Sequence, residues 1–139
     1  MDSSKKCIAV IDKKLPLGLI ANTAAILGCT LGRNVQGIVG EDIVDQCGRR
    51  QPGIINIPLP ILTAEKDRIR EIYRTVQTAY ADEIKMISFS DVAQRCKDYE
   101  DYKGKMAAVD GETIDYLGLC LYGEKKDINH LTGNLPTLK

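Results

Sequence analysis

One histidine in 139 residues, and five cysteines that never fall into a C-x-x-C, leave little for a metal to hold. Cys7, Cys29, Cys47, Cys96 and Cys120 are odd in number and widely spaced, which suits neither a disulfide framework nor a zinc site. The Walker loop is missing too: Gly32 and Gly37 have its outer spacing, but Ile38 stands where the lysine belongs. There is no G-x-G-x-x-G and no G-x-S-x-G, which counts against a nucleotide-binding or α/β-hydrolase chemistry. Net charge is also absent, with 19 Lys+Arg against 19 Asp+Glu, so a large polybasic nucleic-acid surface is not expected. The opening MDSSKKCIAVID carries an apolar run too short for a signal-peptide core or a membrane span. A cytoplasmic protein with no membrane association, metal or cofactor is expected.

What is present reads as one α/β domain over 1–139, without repeats, low-complexity tracts or linkers. CIAVI (7–11) has the β-branched apolar run of a strand buried on both faces. LIANTAAILGCTL (19–31) is spaced as a helix that Gly32 can close. Residues 37–53, with four glycines and a proline, predict a loop holding at most one helical turn. IINIPLPIL (54–62) is β-rich, yet Pro58 and Pro60 remove two donors from one side, so it lies at a sheet edge or bends out. TAEKDRIREIYRTVQTAY is the clearest amphipathic helix, with Thr63 as the expected cap. KMISF (85–89) reads as a strand, then a polar helical stretch broken near Lys97, then TIDYLGLCLYG (113–123) as the last strand. EKKDINHL forms a helix that stops at Gly133.

Several residues are candidates for chemistry, each with a structural alternative. A helix starting near Gly18 presents unpaired N–H groups, and Asn22 one turn in either adds a ligand-binding amide or satisfies nearby backbone. Asp45, Arg49 and Arg50 in the glycine-flanked loop either make a fork for a carboxylate or phosphate, or pin the loop as an Asp–Arg pair. Cys47 beside these charges, with His130 as base, would be a nucleophile only if the fold brings them together. His130 near a helix C-terminus also suits a structural role. Tyr99 and Tyr102 share a helix face, for stacking on a ligand or for packing. Asp110, Glu112 and Asp115 read as solvated charges at a turn.

KKCIAVIDKKLPLGLIANTAAILG, GEDIVDQCGRRQPGI, LPIL, YLGLCLYG and INHLTGNLP together resemble the uncharacterised family called domain of unknown function two thousand. That family is similar in fold to the type II peptidyl-tRNA hydrolases. The resemblance implies a mixed four-stranded sheet flanked by helices, commonly dimeric. It does not carry the hydrolases' polar set: in the pattern G-K-x-A-A-Q-x-x-H-A, this chain has Leu19 for the lysine, Thr23 for the glutamine and Ile26 for the histidine. Leucine supplies neither charge nor donor. The D-A-G-x-T segment has no clear counterpart, Asp91 standing nearest its aspartate.

Three functions follow as expectations. The first is a scaffold without hydrolysis, binding a small anionic ligand between the first helix and the 41–53 loop through Asn22, Asp45, Arg49 and Arg50. The second is a peptidyl-tRNA hydrolase or related esterase with rearranged chemistry, Asn22 and Thr23 orienting water and Asp45 or Asp91 acting as base. In that case tRNA is the partner, a less favoured outcome. The third is a non-enzymatic role through a homodimer surface.

Overall fold

The computed structural model describes residues 3–139. Strand β1 (Lys5–Asp12) buries Cys7 through Ile11 without interruption, as a central strand covered on both faces must. Helix α1 (Leu17–Asn34) follows at once, with the Pro16 carbonyl accepting the N–H groups of Leu19 and Ile20 at 3.0 Å each. It outruns the expected stop at Gly32, because Val35 N–H still donates to Leu31 O at 3.0 Å. The 37–53 segment holds a small antiparallel ribbon, β2 (Ile43–Val44) and β3 (Arg50–Gln51), rather than a helical turn. Its reversal needs a left-handed residue, supplied by Gly48 at φ +81°.

Strand β4 (Ile61–Ala64) lies at a sheet edge, and the two prolines precede it instead of sitting within it. Helix α2 (Lys66–Ala79) begins after Glu65, so Thr63 is not its cap. That threonine is buried in β4, its N–H committed to Pro136 O at 2.9 Å. Strand β5 (Lys85–Ser90) leads into α3 (Asp91–Gln94) and α4 (Tyr99–Ala108). The break between them falls near Lys97 as the sequence suggests, and Ser90 and Asp98 cap the two starts through their side chains. A 3-10 turn at Gly111–Thr113 precedes β6 (Tyr116–Glu124), and α5 (Lys125–Thr132) closes the element order.

The four long strands form one mixed sheet in the order β4-β1-β6-β5, with β4 parallel to β1 and the other pairs antiparallel. Alternation along β1 sends Ile8 and Val10 to one face, where Ile69, Ile72 and Val76 of α2 and Ile128 and Leu131 of α5 cover them. Cys7 and Ala9 face the other way, under Leu27 and Leu31 of α1. Each fully buried leucine or isoleucine stabilises this sandwich by about 1.5–3 kcal/mol. In β6 the alternation breaks: Phe89 pairs with Gly118 but Ser90 with Tyr116, leaving Leu117 as an extra residue. The bulge turns Leu117 toward α1 and Tyr116 toward α2, where its ring stacks on Tyr73 at 4.2 Å.

The chain beyond Gly133 is part of the sheet edge. Thr63 N–H donates to Pro136 O at 2.9 Å, Leu138 N–H donates to Ile61 O at 2.8 Å, and Leu62 faces Thr137 in an antiparallel bridge. The tail thus satisfies the outer backbone groups of β4. Among the described residues no helix is long and apolar enough to cross a membrane.

Candidate functional site

Asp45 is the centre of the β2–β3 ribbon. Its carboxylate accepts the N–H groups of Cys47 and Arg49 at 2.9 and 3.0 Å and the Gln51 amide at 3.0 Å, with Arg49 Nε at 3.5 Å. The Arg49 N–H in particular, with the Gln51 amide and Cys47 N–H behind it, holds its pKa below the ordinary 3.8. The second carboxylate of the arm, Asp42, accepts Gly53 N–H at 2.9 Å and lies 3.8 Å from Arg50. Both acids are occupied in shaping the arm, which corresponds to the pinning alternative for this loop. Arg49 and Arg50 project into solvent with side chains three-quarters exposed.

Thr23 faces the sheet and is fully buried. Its hydroxyl donates to Leu19 O at 2.7 Å, so it cannot orient a water for attack on a substrate. Asn22 is exposed on α1. Asp91, at the start of α3, accepts Asp115 N–H at 3.2 Å and pairs with Arg95 at 3.3 Å, while its own N–H donates to Asp115 O. It fixes the end of β5 against the start of β6. The acids expected to be merely solvated are tied down as well: Asp115 meets Arg70 at 2.6 Å, Glu112 meets Arg74 at 2.7 Å, and Asp110 caps the 3-10 turn. Cys47 sits exposed at the ribbon's turn and His130 exposed in the last turn of α5, with no hydrogen bond between them among the described residues. Tyr99 and Tyr102 meet edge to face at 5.6 Å.

Asn22, Asp45, Arg49 and Arg50 share no cavity among those the fold forms most clearly. A different group converges at the opposite end of β1. A cavity of about 410 Å³ opens between the start of β1, the proline segment before β4 and the start of α5, with Lys5, Lys6 and Lys125 in its lining and no carboxylate. Register explains the meeting: β1 pairs with β6 so that Lys5 faces Glu124, and α5 begins at the next residue. Lys125 N–H donates to Ser4 O at 2.8 Å, which clamps the two chain segments together. Lys6 is aimed by Asn129, whose Oδ1 accepts its ammonium at 2.6 Å, and Lys5 pairs with Glu124 at 2.9 Å.

The opposite wall is the proline-containing stretch that leads into β4. Pro58 and Pro60 line it while their carbonyls accept the Cys7 thiol and the Ala9 N–H, and Asn56, anchored to Gly37 O at 2.9 Å, offers an amide. Cys7 closes the floor, its thiol donating to Pro58 O at 3.4 Å, and burial pushes its pKa up to about 11. A thiol held in that state is not a nucleophile at neutral pH. The lining therefore offers ammonium, amide and hydroxyl donors beside an apolar wall. Such a lining complements a negatively charged group. Separate KK pairs at 5–6 and 125–126 were the only trace of this site in the sequence, and nothing short of the β1–β6 register brings them together.

A search among curated proteins returns no match. Among solved structures, the protein of unknown function Atu0240 from Agrobacterium tumefaciens strain C58 superimposes with a TM-score of 0.87 over 98% of each chain at 14% identity, a likeness of fold. The family model described as protein of unknown function (DUF2000) matches residues 5–139, nearly the whole of the sheet, its helices and the lysine-lined cavity, and the chain belongs to that family.

Proposed function

We propose that this protein binds a small molecule bearing a carboxylate or phosphate, on a scaffold like that of the type II peptidyl-tRNA hydrolases but without their reaction. The observation that carries the reading is the cavity of about 410 Å³ with three lysines and no carboxylate in its lining. Lys6, pre-aimed by Asn129, and Lys125, on the first turn of α5, supply the charge, and the N-terminal end of that helix favours the same sign of ligand. The rings of Pro58 and Pro60 suit an apolar part of the same molecule.

Hydrolysis of peptidyl-tRNA has less support. Leu19 and Ile26 replace polar residues, Thr23 is buried with its hydroxyl engaged, and Asp45 and Asp91 are held in structural contacts. The arm site of Asn22, Asp45, Arg49 and Arg50 is supported by its two exposed guanidinium groups.

The test is a thermal-shift titration with inorganic phosphate, a dicarboxylate and a nucleoside monophosphate, run beside incubation with N-blocked aminoacyl-tRNA. A ligand at a hundredfold its Kd stabilises the fold by about 2.7 kcal/mol, roughly 8 °C for a chain of this size. The expected result is a shift from at least one anion that Lys125→Ala abolishes, and no release from the aminoacyl-tRNA. A flat response to every anion, or a shift untouched by Lys125→Ala, would refute the cavity reading.

A further inference from the structure

The hydrogen bonds already made around the lysine cavity decide which of its polar atoms are left for a ligand. Lys5 is paired with Glu124 at 2.9 Å, so its charge is balanced within the protein. Lys6 differs: its ammonium is held at 2.6 Å by the neutral Oδ1 of Asn129, which positions the charge without cancelling it. Lys125 lies one helical turn before Asn129 on α5, and its Nζ has no partner among the described residues. Two unbalanced positive charges therefore meet at one end of the cavity. The amides add direction. Because the Asn129 oxygen accepts Lys6, its Nδ2 remains free to donate at that same end. Asn56 is turned the other way: its Nδ2 donates to Gly37 O at 2.9 Å, which leaves Oδ1 as a free acceptor on the proline wall.

We infer that the ligand of this cavity is a phosphate monoester on a small carbon skeleton that also carries a hydroxyl or N–H, an inference that rests on the anion-binding reading above. Charge selects the headgroup. A phosphate monoester carries close to two negative charges at neutral pH, whereas a carboxylate or a phosphate diester carries one and would leave Lys6 or Lys125 unbalanced. A dicarboxylate has two charges, but its carbon chain holds them apart, and both ammonium groups here belong to one turn of α5 and the strand bonded to it. Geometry agrees with charge. Ammonium groups are point charges on flexible stems and suit the tetrahedral oxygens of phosphate; the planar fork that matches a carboxylate belongs to arginine, which the lining lacks. The facing wall sets the rest of the molecule. Ile57, Pro58 and Pro60 line the space for carbon, and Asn56 Oδ1 accepts one hydroxyl or N–H. At about 410 Å³ the cavity is at the small end for ligand sites, which fits a molecule with a single phosphate.

Calorimetric titration of the full chain with methyl phosphate, inorganic sulfate, dimethyl phosphate, succinate and ribose 5-phosphate tests this. Methyl phosphate gains its second charge near pH 6, so its affinity should rise about tenfold between about pH 5 and about pH 7.5, while sulfate, a dianion throughout, should bind equally at both. The charged and titratable groups of β1, β6 and α5 around the cavity are Lys5, Lys6, Glu124, Lys125, Lys126, Asp127 and His130, and the proline wall adds none. They act on both anions alike, so a difference between the two belongs to the ligand. Lys125→Ala should weaken methyl phosphate and sulfate about 5–10-fold, and Lys6→Ala replaces it as the test if that variant fails to fold. Ribose 5-phosphate should bind more tightly than methyl phosphate, an advantage that Asn56→Ala should remove; if that variant fails to fold, the comparison on the wild type still decides. Succinate or dimethyl phosphate binding as tightly as methyl phosphate, a methyl phosphate affinity that ignores pH, or equal affinities for the two monoesters overturns the inference while leaving an anion site in place. Silence from every anion removes the anion-binding reading and this inference with it.

Discussion

The methyl group of Thr23 stands 2.9 Å from the point where a Cβ on Gly118 would lie, so α1 rests on β6 with no space for another atom between them. Leu27 of the same helix closes in at 3.2 Å, and the Val10 carbonyl of the neighbouring strand at 3.1 Å. The glycine is there for approach: with any side chain at 118, the helix would have to lift from the sheet. Gly118→Ala should cost about 1–3 kcal/mol of overpacking. Thr23→Ser removes the clashing methyl and keeps the hydroxyl bond to Leu19 O, so the double variant should recover about 0.5 kcal/mol or more of that loss. Urea unfolding of the four proteins measures the coupling, and strictly additive costs would show that the two residues do not share this contact.

The cysteines divide by burial. Cys29 and Cys47 are exposed, Cys96 is intermediate, and Cys7 and Cys120 are fully buried on the α1 face of the sheet. Burial raises Cys7 to about 11, and burial followed by the nearby Cys7 raises Cys120 to about 12. With a disulfide reagent at pH 8, Cys29 and Cys47 should react at once and Cys96 more slowly, since its thiol donates to Val92 O at 3.0 Å. Cys7 and Cys120 should appear only in denaturant. Rapid labelling of Cys7 in the native state would mean that the cavity floor opens, and would remove the argument that its thiol is inert.

The β2–β3 arm should have a pH dependence of its own. Asp45 has its pKa lowered from 3.8, first by the Arg49 N–H, so the ionised form is favoured in the fold. The sign follows: its contribution is complete well above the ordinary value of 3.8, where the carboxylate is ionised in both states, and is lost as pH falls from there through the lowered folded value. Amide exchange at Cys47 and Arg49 should therefore accelerate below that point more than the slowing of intrinsic exchange in acid allows, while the β1–β6 core stays protected. Asp45→Asn should loosen the arm at every pH. Exchange in the arm that follows the core throughout would show that Asp45 does not organise it.

Local signals decided how much of this molecule could be read from its residues. CIAVI is uniformly apolar because β1 is buried on both faces, and Pro58 and Pro60 point to an edge or a departure from the sheet because two missing donors leave one side unpaired; the prolines precede β4, which lies at the edge. Thr63 misleads as a cap because β4 claims it, and a tertiary pairing outranks a local propensity. The arm at 41–53 is visible as a loop, but its ribbon is two residues long on each side and leaves no alternation to see. The tail's LTGNL does mark the stop of α5, yet the next residues form the cover of β4, which only a contact more than seventy positions away reveals. The lysine cavity is the hardest case. It is assembled from the two ends of the chain, and the charge of each part is unremarkable alone.

That assembly yields the sharpest separation between two sites. If Lys6 and Lys125 hold the anion, Lys125→Ala should weaken phosphate binding about 5–10-fold and leave thermal stability within about 0.5 kcal/mol, because the side chain lies at the surface. Lys5→Ala also breaks the pair with Glu124, at 29% and 41% exposure, so it should cost stability, by no more than about 1 kcal/mol. Binding should weaken as salt rises, since the lysines face a cavity open to solvent and are screened there. Arg49→Ala should leave the affinity unchanged, its nearest partner being Asp45 of the same arm. Calorimetric titration of the three variants at two salt concentrations reads all of this at once. If Arg49→Ala loses the ligand and Lys125→Ala keeps it, the anion belongs to the arm, and the lysines at the two ends of the chain serve only to join β1 to α5.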